Sequence, residues 1–230
     1  MTNSKIEAVQ HTIWEEEKRY LMKQVSFSLI RNDALRIGDY TLFSGKKSPY
    51  YVDLRQAISS PMTMDWIANS LARIIDNEIG RTKFDKILGV PTAGVPFTTI
   101  VSQKLAIPML YYRKERKEHG VRKKIEGKME RNDRILMIDD LITTGKSVIQ
   151  AAEAAREQGG IVTELVVLLD REQGGREHIL AHNIRPHVLF NISEAFEWLN
   201  QVKLMDADDY RVIMDYINAE KQRVAAAHGK

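Results

Sequence analysis

The sequence predicts an α/β protein with a mostly parallel central sheet flanked by helices. Three observations carry this. From Lys86 onward, short apolar runs alternate with helical stretches. The run Ile135-Leu136-Met137-Ile138 is apolar without interruption, as in a parallel strand covered on both faces. Strand-to-helix junctions are built from small residues, at Thr92-Ala93-Gly94 and at Thr143-Thr144-Gly145.

The elements follow in order. Ile13 to Ile30 reads as an amphipathic helix with Trp14, Leu21, Val25 and Leu29 on one side. Residues 1–32 are therefore expected to form a helical extension, with the main domain over 33–224 and a frayed tail over 225–230. Tyr40–Phe43 and Tyr50–Leu54 read as two strands of a hairpin closed by Ser44-Gly45-Lys46-Lys47-Ser48-Pro49. Ser60-Pro61 opens a helix that runs to about Glu78 and stops at Gly80. Strands are expected at Lys86–Val90, Pro108–Tyr112, Ile135–Ile138, Val162–Leu169 and His187–Phe190. Helices are expected at Val95–Leu105, Ser147–Gln158, Ser193–Asn200 and Asp206–Lys221. Lys114 to Asn132 reads as a long charged link without strand or helix.

Composition narrows the class. The chain has no cysteine, which excludes disulfides and thiolate metal sites and fits a cytoplasmic enzyme. No apolar run is long enough to span a membrane. The net charge is +3, but Arg113–Arg134 holds ten Lys/Arg against five Asp/Glu, a local +5 that leaves −2 for the rest. Basicity concentrated in one segment points to a specific anion. That segment contains no Phe, Tyr or Trp to stack on bases, which argues against a nucleic-acid surface.

The densest motif is Arg134 to Ser147: a buried-type strand, the acids Asp139 and Asp140 at its C-terminal end, then Thr143-Thr144-Gly145 opening a helix. The turn offers backbone N–H groups and hydroxyls to an anion, and the helix dipole favours negative charge there. The two carboxylates offer acceptors to sugar hydroxyls or to a hydrated cation. A Walker A loop would need glycine at position 140, where the chain has Asp140. A second turn, Val90-Pro91-Thr92-Ala93-Gly94-Val95-Pro96, either admits a ligand close to its backbone or is simply tight. At Asp170-Arg171-Glu172-Gln173-Gly174-Gly175, Arg171 either clamps a carboxylate bidentately or pairs with a neighbour such as Asp170.

The Arg134–Ser147 motif resembles the phosphoribosyl pyrophosphate-binding motif of type I phosphoribosyltransferases. The resemblance runs from about Leu35 to Ile217, and further segments narrow it to the orotate phosphoribosyltransferase family. Arg113-Lys114-Glu115-Arg116-Lys117-Glu118-His119-Gly120 resembles that family's catalytic lid, and Ser44 to Arg55 its N-terminal hood, here about 33–60. The Asp170–Gly175 segment is similar to the transferase part of eukaryotic bifunctional enzymes. The resemblance implies the type I phosphoribosyltransferase fold and a transfer of phosphoribose from phosphoribosyl pyrophosphate to orotate. It implies that Asp139 and Asp140 hold the ribose hydroxyls while Thr143, Thr144, Gly145, Lys146 and Ser147 cradle the 5-phosphate. Arg113, Lys114, Lys117 and His119 would meet the pyrophosphate, with Lys117 catalytic; Arg171 would bind orotate, and Tyr51 would lie in the hood over the base. Mg²⁺ would be held mainly by substrate oxygens, and a homodimer would share the lid across its interface. Two positions depart from the family pattern: Phe43 and Ala93 stand where members carry lysine.

Overall fold

The computed structural model describes residues 3–41, 45–114 and 123–228. The expected N-terminal helix is α1 (Asn3–Arg31), and it buries Trp14, Leu21, Met22, Val25 and Leu29. Glu78 anchors it: Glu78 accepts from Trp14 Nε1 at 3.2 Å, Lys18 Nζ at 2.7 Å and His187 Nδ1 at 2.8 Å. Burial pushes the Glu78 carboxyl up, but the His187 and Lys18 bonds outweigh it and hold it at about 2.

β1 (Leu35–Thr41) and β2 (Lys47–Val52) form an antiparallel pair, the hood. β1 begins earlier than the apolar pattern indicated, at Leu35, and β2 is shifted, starting at Lys47 and ending at Val52, because a hairpin pairs its backbone whatever the side chains on its open face and Asp53 caps the turn that follows. Helix α2 (Pro61–Ile74) begins where expected: Ser60 caps it by accepting from Thr63 N, and Pro61 occupies the first turn.

The main sheet has the order β5-β4-β3-β6-β7-β8. Its strands are β3 (Lys86–Gly89), β4 (Met109–Tyr112), β5 (Ile125–Glu126), β6 (Arg134–Ile142), β7 (Ile161–Asp170) and β8 (Arg185–Asn191). All neighbours run parallel except β5, which pairs antiparallel with β4. Successive residues enter opposite cores. Ile87, Leu136, Ile138, Val166 and Leu168 join the core under α1, α2, α3 (Gly94–Leu105), α6 (Ile192–Gln201) and α7 (Ala207–His228). Leu88, Met137, Leu165 and Val167 join the core under α4 (Lys146–Glu157) and α5 (Gly175–Ala181). Burial on both faces explains the uninterrupted apolar runs.

Four details differ from expectation. β6 does not end at Ile138; it continues through Asp139 and Asp140 to Ile142, because β7 runs alongside and pairs Asp139 with Val167 and Ile142 with Asp170. The charged link contains β5, whose two residues are too few to show a period. The segment after Asp170, read as a glycine-rich loop, becomes α5 from Gly175 onward. Helix α7 runs through Ala225 to His228.

The order places a switch point between β3 and β6, from which the chain winds outward in both directions. Ligands of open α/β sheets gather at such a point, beyond the strand C-termini.

Candidate active site

β3 stops pairing with β6 at Gly89 and Ile138, and Val90 N donates to Ile138 O at 3.0 Å. From Asp139 onward only β7 pairs with β6, so the β3 side opens into a cleft of about 140 Å³. Pro91, Asp139, Asp140 and the stretch Thr143–Val148 line it. The sequence motif is thus one continuous surface in space. Asp139 is buried, Asp140 half-buried, and Asp140 N donates to Asp139 Oδ1 at 2.9 Å. Burial pushes the Asp139 carboxyl well above the usual range, and the neighbouring Asp140 charge adds to this, against the Lys114 ammonium. Burial also raises Asp140. Two adjacent carboxylates so placed resist carrying two charges until a ligand brings hydroxyl donors or a cation.

Two tight contacts shape the cleft. A Cβ on Gly94 would lie 2.9 Å from both Asp139 Oδ1 and Ile138 O. The small residues of the Val90–Pro96 turn therefore admit strand β6, and in doing so bring α3 against Asp139. On the other side, a Cβ on Gly175 would sit 2.4 Å from Thr143 O and 2.9 Å from Gly145 N. His178, also on α5, holds Thr144 O through Nδ1 at 2.9 Å. The Thr143–Gly145 turn is thus set by α5, and Gly145 itself adopts φ 76. Gly175→Ala should displace this turn: the expected outcome is a lower melting temperature and a weakened affinity for phosphate-bearing ligands, checked by thermal melts and by titration with inorganic phosphate.

Arg171 follows β7 directly, and its N–H donates to Ile142 O at 3.0 Å. The residue is only 8 % exposed, and Nε and Nη2 have no well-aligned hydrogen-bond acceptor. The pairing with Asp170 does not occur; Asp170 Oδ1 instead accepts from Glu172 N at 2.8 Å. The guanidinium lies 5.3 Å from the Tyr50 ring centroid. Burial raises the Tyr50 hydroxyl's pKa, and the Arg171 charge opposes this.

The phosphoribosyl transferase domain model matches residues 59–205. Orotate phosphoribosyltransferase of Sulfolobus acidocaldarius is 35% identical over 190 residues, covering 83% of this chain and 94% of that protein. The chain belongs to the orotate phosphoribosyltransferase family. Uridine 5′-monophosphate synthase of Bos taurus is 38% identical over 193 residues, 84% of this chain and 40% of the bovine protein. The crystal structure of orotate phosphoribosyltransferase from Aeropyrum pernix superposes with a TM-score of 0.69 at 26% identity, covering 79% of this chain and 99% of that one. The mostly parallel sheet and flanking helices are the fold of this family.

Within the orotate phosphoribosyltransferase frame, the structure gathers Asp139, Asp140, Thr143, Thr144, Gly145, Lys146 and Ser147 into one cleft. Lys114 stands near enough to lower Asp139. Arg113 lies at the end of β4, with its N–H on Lys124 O at 2.8 Å and Nη1 3.4 Å from Glu126 Oε1. That places it at the start of the charged segment expected to be a lid. Lys117 and His119 lie outside the described residues, as does Phe43. Tyr51 is on the hood, against Arg36 at 5.2 Å and Tyr40 at 5.5 Å, on the face of β2 opposite Tyr50. Tyr50 is the hood tyrosine that meets Arg171.

Asp53 and Arg55 were not singled out from the sequence, yet they reach the acid pair. Arg55 binds Asp53 through two bonds, at 2.6 and 2.9 Å. The Asp140 charge acts on Arg55, and Asp53 acts on Asp140. Their signal was present in the Val52-Asp53-Leu54-Arg55 corner, but a hairpin end gives no indication of what it faces.

Proposed function

We propose that this chain transfers phosphoribose from phosphoribosyl pyrophosphate to orotate, giving orotidine 5′-monophosphate and pyrophosphate in pyrimidine synthesis. The observation that carries this is a buried guanidinium, Arg171, with two nitrogens lacking a well-aligned acceptor, beside a cleft that joins paired carboxylates to an amide-lined turn. A carboxylated base satisfies the first, and a sugar phosphate satisfies the second.

A ring nitrogen of the base forms a bond to the anomeric carbon as the carbon–oxygen bond to pyrophosphate breaks. Positive charge develops on the ribose and negative charge on the leaving group. Catalysis is therefore a matter of positioning and electrostatics, and no covalent nucleophile is required. Asp139 and Asp140 hold the ribose hydroxyls, the Thr143–Ser147 turn holds the 5-phosphate, and Arg171 holds the base carboxylate. Lys114 and Arg113 at the base of the lid, with Lys117 and His119 on it, neutralise the pyrophosphate and exclude water.

Among the described residues no three acidic or imidazole side chains converge to hold a metal ion. The oxygen-only donor pair at Asp139 and Asp140 suits Mg²⁺ whose other ligands are substrate oxygens and water. When bound, Mg²⁺ would offset charge on the leaving pyrophosphate. The same family reading makes the protein a homodimer, with each lid reaching the neighbouring cleft, and a cytoplasmic one, in keeping with the absence of cysteine. No described helix is long and apolar enough to cross a membrane.

The test is orotate absorbance followed with phosphoribosyl pyrophosphate, with and without Mg²⁺. Consumption that requires both is expected. Lys117→Ala should slow turnover by about 100-fold, the effect of removing one charge-stabilising donor, with an unchanged circular dichroism spectrum. An inert wild-type protein would overturn the reading, and wild-type turnover in the variant would remove the role given to the lid.

A further inference from the structure

The base-binding side is built from segments that lie outside residues 59–205, the stretch matched by the family domain. Strand β2 precedes it and helix α7 follows it, and the two meet over Arg171. The Tyr50 ring is 5.0 Å from Phe196 and 5.9 Å from Tyr216, edge-on to the latter at 85°. Lys46, from the hood turn, lies 5.6 Å over the Tyr216 ring and pairs with the buried carboxylate of Glu220 on α7. Arg223 pairs with the same carboxylate.

The hydroxyls of Tyr50 and Tyr216 and Nε and Nη2 of Arg171 are buried along this seam without a well-aligned partner, and the Arg171 guanidinium acts on the Tyr50 oxygen. Each is buried, and each is a donor. Folded proteins leave few buried polar groups unsatisfied, and the Arg171–Tyr50 contact still leaves the Tyr216 hydroxyl and guanidinium N–H groups to donate, which a ligand explains better than packing. The complementary ligand is flat, to lie among aromatic rings, and rich in acceptor oxygens.

We propose that Tyr216 of α7 is a further base-binding residue, donating with Tyr50 and Arg171 to the carboxylate and carbonyl oxygens of the acceptor pyrimidine. The Lys46–Glu220 pair is the positioning latch that holds β2 against α7 and so keeps both phenols beside Arg171. This rests on the proposed transfer to orotate and extends its acceptor site to a helix beyond the common domain.

Steady-state kinetics with both substrates varied test it, on wild type, Tyr216→Phe and Glu220→Gln. Tyr216→Phe keeps the ring and removes only the donor. It should raise KM for orotate about tenfold, the loss of one hydrogen bond to an anionic ligand, with KM for phosphoribosyl pyrophosphate within about twofold of wild type. Glu220→Gln should move the same constant in the same direction and leave the other in place. An unchanged orotate KM in Tyr216→Phe overturns the inference, and so does a parallel rise in both constants, which marks a merely structural role. An unchanged orotate KM in Glu220→Gln removes the latch. A wild-type protein inert toward orotate overturns the transfer reading and the inference with it, whereas an active wild type beside an unaffected Tyr216→Phe overturns the inference alone.

Discussion

Asp139→Asn is expected to lose about 100-fold in kcat/KM while melting at a higher temperature than wild type at pH 7. The activity loss follows from replacing a charged acceptor of ribose hydroxyls by a neutral one, at about 1.5–3 kcal/mol for each such bond. The stability gain follows from the raised carboxyl. Burial, with Asp140 alongside, lifts Asp139 above its value in the unfolded chain. A group raised on folding contributes its full stability below the unfolded value, near pH 4, and loses it as pH climbs toward the folded value. At pH 7 the wild type therefore lacks stability that an amide, which never ionises, retains. The amide also keeps the oxygen that accepts from Asp140 N. Thermal melts at pH 4 and pH 7 check this: the two proteins should converge at the lower pH. A variant less stable than wild type at pH 7 would show that the acid pair is structural.

Arg171→Met should raise KM for orotate by about two orders of magnitude and leave KM for phosphoribosyl pyrophosphate nearly unchanged, because a buried guanidinium contributes roughly 1.5–3 kcal/mol to a carboxylate through its hydrogen bonds. The variant should also melt higher. The wild-type side chain buries a charge with two nitrogens that lack a well-aligned acceptor, and methionine fills similar space without that penalty. Equal rises in both KM values would argue that Arg171 supports the whole cleft and does not choose the base. At both positions the free protein holds a less stable arrangement that a substrate completes, as expected of a preorganised site.

The Asp139–Ser147 half of the site was legible because it is contiguous. One strand end and one turn carry the acids, the hydroxyls and the amides, and spacing alone puts them in one place. Arg171 was legible as a candidate, but its two possible partners were not separable without coordinates. The Val90–Pro96 turn was legible as close-packed, and coordinates add that the Cβ position of Gly94 is taken up by Asp139 and the backbone of β6. Tyr51 was expected over the base, but it is Tyr50 that meets Arg171; strand alternation says that neighbours face opposite ways and not which way is inward. Tyr216 and His178 gave no local signal, because each acts on a residue distant in sequence, and the Asp53–Arg55 corner gave no indication of what it faces.

By itself, the sequence determined the alternation of strands and helices, the two-sided burial of the sheet and the sugar-phosphate motif, since each depends on residues close together along the chain. Only the tertiary structure decided that β6 runs on past its acids, that α5 sets the phosphate turn, and that the hood and the C-terminal helix close over Arg171. The physical reason is that pairing, burial and electrostatic field are set by neighbours in space, and in this fold the neighbours of Asp139 and Arg171 come from every part of the chain.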